Sequence, residues 1–133
     1  ILIIVMVRAP DYLMLTKDER LLQQVVLAVG AGIYEEFVFR VILITGFAYV
    51  LGLIFKWGTI GKNIGSVLMS AVLFSAFHFA GPFGEDPSFY LFFMRLIAGI
   101  FLGVVYALRG FGIAAYTHTI YDLFVLVRFT TSD

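Results

Sequence analysis

The sequence predicts an all-α, polytopic transmembrane helix bundle, on three observations. Of its 133 residues 62% are hydrophobic, and the mean hydropathy is +1.02; a soluble domain is about 45–50% apolar. Long apolar stretches recur four times, parted by short turn-rich or charged segments. Backbone groups in lipid must bond within their own segment, so these stretches form helices. A β-barrel would need short alternating segments, and the sequence has none.

The elements follow in order. Thr16-Lys17-Asp18-Glu19 reads as a capping box that starts a helix at Lys17. From there apolar sequence runs to Phe55, about 58 Å as a helix, roughly twice a ~30 Å hydrocarbon core. We therefore expect an approach helix near 17–32 and a span near 33–55, with a bend at Gly30 and Gly32. Lys56 to Lys62 reads as a loop with Trp57 as an interfacial anchor. A second span covers 64–80 and stops at Gly81-Pro82, before the acidic turn-rich loop GPFGEDPS. A third runs from Phe89 to Leu108, a tight connection at Arg109-Gly-Phe-Gly112 follows, and a fourth runs from Ile113 to Phe129. Gly99 and Gly103, Ser66 and Ser70, and Ala71 and Ser75 repeat the four-residue spacing of small residues at close helix contacts.

The chain is expected to form a single membrane domain over 1–133, with its chemistry-bearing core at 17–129. It opens on ILIIVMV without an initiator Met, which we read as a fragment lacking N-terminal helices. Nine basic and nine acidic residues cancel, so no nucleic-acid partner is implied. No Cys is present, which excludes disulfides and thiol catalysis. Orientation is undetermined: four Lys and Arg fall on one side and three on the other. The expected setting is integral and multi-pass, in the plasma membrane if the source is prokaryotic.

Against this background the charges inside spans are informative. Each costs roughly 2.5–3.5 kcal/mol on insertion scales, yet Glu35, Glu36 and Arg40 share one stretch. Glu36 and Arg40 lie four apart on one helical face, acid before base. A buried guanidinium keeps its proton and needs a fixed anion, so we read Glu36 as supporting and Arg40 as its clamp. Glu35 is about 100° round the helix from Glu36. It serves equally well as an inert protonated carboxyl or as a general acid or base.

The only two histidines are His78 and His118. His78 lies near a helix C-terminus, where a histidine is usually structural. His118 has Asp122 one turn on, a carboxylate able to fix its tautomer, although a plain structural hydrogen bond is the commoner case. Arg95 also lies inside a span, and we expect it to snorkel towards Glu85 and Asp86. Taken together, three spans contribute groups able to transfer protons, which points to one shared polar cavity between helices. His118 lies early in its span, whereas Glu35 and His78 lie towards the opposite face, so sharing a site requires the helices to tilt.

At these segments the chain resembles the CPBP family of CAAX proteases and bacteriocin-processing membrane enzymes. The family's EExxxR, FxxxH and HxxxN or HxxxD motifs read here as Glu35-Glu36-Phe-Val-Phe-Arg40, Phe74-Ser-Ala-Phe-His78 and His118-Thr-Ile-Tyr-Asp122. Their order and the kind of segment agree over about 17–129. The resemblance implies an intramembrane endopeptidase acting on a membrane-associated protein or peptide. Glu35 would activate water beside His78. His118 and Asp122 would position water or stabilise the oxyanion, and Glu36 with Arg40 would hold the architecture. Two departures are visible. Val41 stands where a Gly often follows the arginine. Asp122 stands where some members have Asn, and an ionised aspartate cannot donate to an oxyanion.

Glu35, His78, His118 and Asp122 would also suit zinc by ligand type. The spacing is not HExxH, and we favour glutamate-dependent catalysis without a cofactor. The alternatives are a non-catalytic peptide-binding or immunity protein on the same scaffold and, less favoured, a proton-coupled transporter.

Overall fold

The computed structural model describes residues 17–80 and 86–130, and these form helices only. The ILIIVMV opening, Thr16 of the expected capping box, and 81–85 with Glu85 lie outside the described residues. One continuous helical run, Lys17–Leu53, is 37 residues long. It comprises α1 (Lys17–Glu36), a π-helical segment (Phe37–Ile44) and α2 (Thr45–Leu53). The remaining helices are α3 (Thr59–Phe77), α4 (Phe89–Arg109) and α5 (Phe111–Thr130).

Among the described residues three helices are long and apolar enough to cross a membrane: Lys17–Leu53, Thr59–Phe77 and Phe89–Arg109. The fourth expected span forms a helix of the right length, α5, but is not one of the three. His118, Asp122 and the hydroxyls of Thr117 and Thr119 dilute its apolar character. The outer surface suits lipid: Phe89, Tyr90, Phe93, Met94, Ile97 and Phe101 on α4 are each half exposed or more. Such an apolar face is far larger than a soluble monomer tolerates.

Each helix packs on two neighbours, closing a four-membered ring. The second half of the long helix lies against α3, α3 against α4, α4 against α5, and α5 against α1. The π segment touches α3, α4 and α5 and so marks the centre. Small residues allow the approach. A Cβ at Gly99 would lie 3.2 Å from the Ala71 Cα, and one at Gly103 would lie 2.8 Å from Val67 Cγ1. Ser75 Oγ donates to the Phe92 carbonyl oxygen at 2.7 Å, tying α3 to α4. Where lipid replaces water, packing and interhelical hydrogen bonds of this kind hold helices together.

The helix is not interrupted at Gly30 and Gly32. Gly32 serves instead as a contact point, because a Cβ there would lie 2.8 Å from Thr119 Oγ1 and 3.3 Å from its Cα on α5. The irregularity comes a turn later, as the π segment. The loop expected from Lys56 to Lys62 is also shorter: Gly58 caps α3, whose first residue is Thr59, so Lys62 is helical. At the same end of the bundle Gly110 alone parts α4 from α5. Its φ of +85° is a conformation that side-chain-bearing residues rarely adopt.

Candidate active site

The polar residues meet where the π segment crosses the bundle. Glu35 and Glu36 end α1, and Arg40 lies within the π turn. A π segment shifts the backbone ladder from i→i+4 towards i→i+5, and such segments frequently mark functional sites. Here Ser70 Oγ on α3 donates to the Phe39 carbonyl oxygen at 2.5 Å, anchoring the wide turn.

Glu36 and Arg40 are fully buried. Arg40 Nε–H donates to Glu36 Oε2 at 2.9 Å. The two amino groups of Arg40 have no hydrogen-bond partner among the described residues. The guanidinium lies instead over the Phe74 ring, with Cζ 5.2 Å from its centroid, where the ring quadrupole favours a cation. The second oxygen of Glu36 reaches α5: His118 Nδ1–H donates to Glu36 Oε1 at 2.9 Å. One carboxylate thus joins the arginine and the imidazole.

Both histidines are buried, each 6% exposed. His78 caps the C-terminus of α3, and a helical Cβ slants towards its own N-terminus, which turns the ring back into the bundle. Its Nδ1–H donates to the Phe74 carbonyl oxygen at 2.7 Å. A carbonyl only accepts, and so does an ionised carboxylate, so Nδ1 carries the proton in both rings. Each neutral ring then offers its Nε2 lone pair to the centre.

There the four expected residues converge. Glu35 Oε2 lies 4.0 Å from His78 Nε2 and 3.7 Å from His118 Nε2. Asp122 Oδ2 lies 3.6 Å from His118 Nε2. These separations exceed a direct hydrogen bond, and the groups lie close enough for one water to touch them together. Glu35 is the most open member, with a fifth of its side chain accessible, against 11% for Asp122 and 7% for each imidazole. Among the described residues, no group of three or more His, Asp or Glu is arranged to hold a metal ion.

The structure therefore gathers Glu35, His78, His118 and Asp122 with Glu36 and Arg40 behind them. The depth conflict disappears because Glu35 sits midway along a helix far longer than the others, while His118 lies about two turns into α5. One assignment changes. The hydrogen bond that orients His118 comes from Glu36 rather than Asp122, which faces the opposite ring nitrogen. Sequence spacing favoured Asp122 because it lies one turn away, and no local pattern announces a partner 82 positions distant. Arg95 is half-buried and near enough for its charge to act on Asp122. Phe74 stood in the sequence only as a motif letter, yet its ring lies among Arg40 and both imidazoles.

No curated protein and no solved structure matches the chain. A family model does: the Rce1-like family, described as type II CAAX prenyl endopeptidase Rce1-like, matches residues 17–124. With its three motifs converging in a helical membrane bundle and that match covering most of its length, the chain belongs to the Rce1-like family of CAAX-type membrane proteases.

Proposed function

We propose that the chain is an endopeptidase that hydrolyses a peptide bond of a membrane-associated protein or peptide by carboxylate-activated water. The observation that carries this reading is the convergence of Glu35 Oε2 on the Nε2 atoms of His78 and His118 at 4.0 and 3.7 Å. Glu35 is the base: it takes a proton from water held between it and the imidazoles, and the oxygen attacks the scissile carbonyl. The proton then passes to the leaving amine, from Glu35 or from an imidazole. General acid–base help of this kind contributes about 10²–10⁴-fold.

Glu36 pins His118 with Nδ1 protonated, so its Nε2 is poised to receive from Glu35 the proton taken from water. Once protonated, His118 becomes a donor to the developing oxyanion. Asp122 faces that nitrogen and stabilises the imidazolium. In this scheme Asp122 acts as an acceptor, which accounts for an aspartate where some family members carry asparagine.

The runner-up mechanism is zinc held by Glu35, His78, His118 and Asp122. The ligand types fit, since zinc takes imidazole and carboxylate, and dependence on a chelator separates the two mechanisms. A non-catalytic peptide-binding or immunity role on the same scaffold is the competing function. Its setting in all these readings is a lipid bilayer, the plasma membrane for a prokaryotic source. The test is cleavage of a membrane-anchored, CAAX-type reporter peptide by the purified protein in proteoliposomes, with and without a strong chelator. Cleavage that survives chelation supports the water mechanism. Cleavage lost on chelation and restored by zinc supports the metal, and absence of cleavage across a panel of membrane peptides supports the binding role.

A further inference from the structure

We infer that Phe74 is a positioning residue, whose ring sets the angle of both imidazoles and of the Arg40 guanidinium around the centre. The inference rests on the hydrolytic reading for its consequence and on geometry for its substance. The ring is 3% exposed. Its centroid lies 4.7 Å from the His78 ring at 62°, and 5.9 Å from the His118 ring at 72°. Arg40 Cζ stands 5.2 Å from the same centroid. The fourth partner, Phe39 at 5.2 Å and 89°, is the apolar backing.

An ordinary core phenylalanine packs among aliphatic and aromatic neighbours. Three of these four partners are instead polar groups of the site. Edge-on contacts place the electropositive rim of one ring against the electronegative face of another, so the arrangement is directional as well as space-filling. The residue acts through its backbone too, because the Phe74 carbonyl oxygen takes the Nδ1 proton of His78. Ring and carbonyl together fix both the tilt and the tautomer of that histidine. For His118 the ring supplies the wall against which the Glu36 hydrogen bond holds it.

Space for the ring comes from α4. A Cβ at Gly99 would lie 3.2 Å from Phe74 Cδ1 and equally close to Ala71, tighter than most real contacts, so the neighbours would have to give by a few tenths of an ångström. The small residue at 99 is therefore a second handle on the same ring. A displacement of about 1 Å in a reacting group lowers turnover by about 10²-fold.

The test uses the full chain labelled with ¹⁵N-histidine, in which the two histidines give two imidazole spin systems. Spectra and turnover are compared for the wild type, Phe74→Leu and Gly99→Ala. In the wild type each imidazole shows a single Nδ1–H tautomer. In Phe74→Leu both become mixtures, kcat falls roughly 10- to 100-fold, and KM stays within about 3-fold. Gly99→Ala gives a smaller change of the same sign, and the double variant loses less than the sum of the two. Wild-type imidazole spectra and turnover in Phe74→Leu overturn the inference. If Phe74→Leu fails to fold, unchanged spectra and turnover in Gly99→Ala overturn it. If the wild type itself cleaves nothing, the hydrolytic reading fails, while the imidazole spectra still decide whether Phe74 positions the two rings.

Discussion

Glu36 serves two N–H donors with its two oxygens, and the isosteric change Glu36→Gln separates them. Both contacts are 2.9 Å, and Glu36 and Arg40 are fully buried. A glutamine keeps one acceptor and replaces the other with a donor. If its oxygen stays on Arg40, its amide faces His118, and the imidazole must turn its Nδ1 lone pair inward and move its proton to Nε2. If its oxygen faces His118, two donors collide at Arg40. In either case the guanidinium keeps its charge and loses its counter-ion. Breaking one partner of a buried pair costs about 3–5 kcal/mol.

Turnover should fall further than stability alone accounts for, by on the order of 10²–10⁴-fold, because the His118 tautomer is wrong for accepting a proton. Unfolding in detergent by denaturant gives the first number, and cleavage in proteoliposomes with the folded fraction measured gives the second. A double variant, Glu36→Gln with Arg40→Met, removes both charges and should recover most of the stability but none of the turnover. A Glu36→Gln protein whose stability lies within about 0.5 kcal/mol of wild type, with His118 still protonated on Nδ1, would refute the placement of Glu36 between the guanidinium and the imidazole.

Other outcomes follow from the same geometry. Gly32→Ala brings a Cβ to 2.8 Å from Thr119 Oγ1 and 3.3 Å from its backbone, so α5 must move; overpacking of this kind costs about 1–3 kcal/mol, and the neighbouring His118 should lose its bond to Glu36, read as a fall in turnover and in denaturant midpoint. By contrast Gly30→Ala, which meets nothing within 4 Å, should leave both near wild type. Asp122→Ala should lower kcat by about 10–100-fold through loss of the group facing His118 Nε2. Asp122→Asn, which keeps the shape and adds a donor for the oxyanion, should retain more activity than the alanine, as steady-state kinetics on the two variants will show.

The spans were readable because membrane helices announce themselves by length and apolar run, and α4 agrees with its expected bounds to within one residue at each end. The four converging residues were readable because charges in lipid stand out against their surroundings. What sequence did not supply was the partner of each polar atom. The i,i+4 rule finds Arg40 for Glu36 correctly, since both lie on one helix. Applied to His118 it selects Asp122, while the bond that holds Nδ1 comes from another helix. The π segment was equally hidden: Phe37–Ile44 reads as an ordinary apolar helix, and its wide turn is anchored by Ser70, 31 positions further along the chain. Gly32 illustrates a third kind of ambiguity. A glycine in a helix suggests a bend from sequence alone, and only the facing helix reveals that its missing side chain is what admits Thr119.

The central claim is that Glu35 activates the hydrolytic water. Its most direct test is single-turnover cleavage of a membrane-anchored reporter by Glu35→Gln, with folding verified by the denaturant midpoint and by wild-type signals for His78 and His118. The account predicts a folded protein with both imidazoles in place and cleavage reduced by at least about 10²-fold. Full turnover by that variant would contradict it, and the base would have to be sought elsewhere among the groups that meet at the π segment.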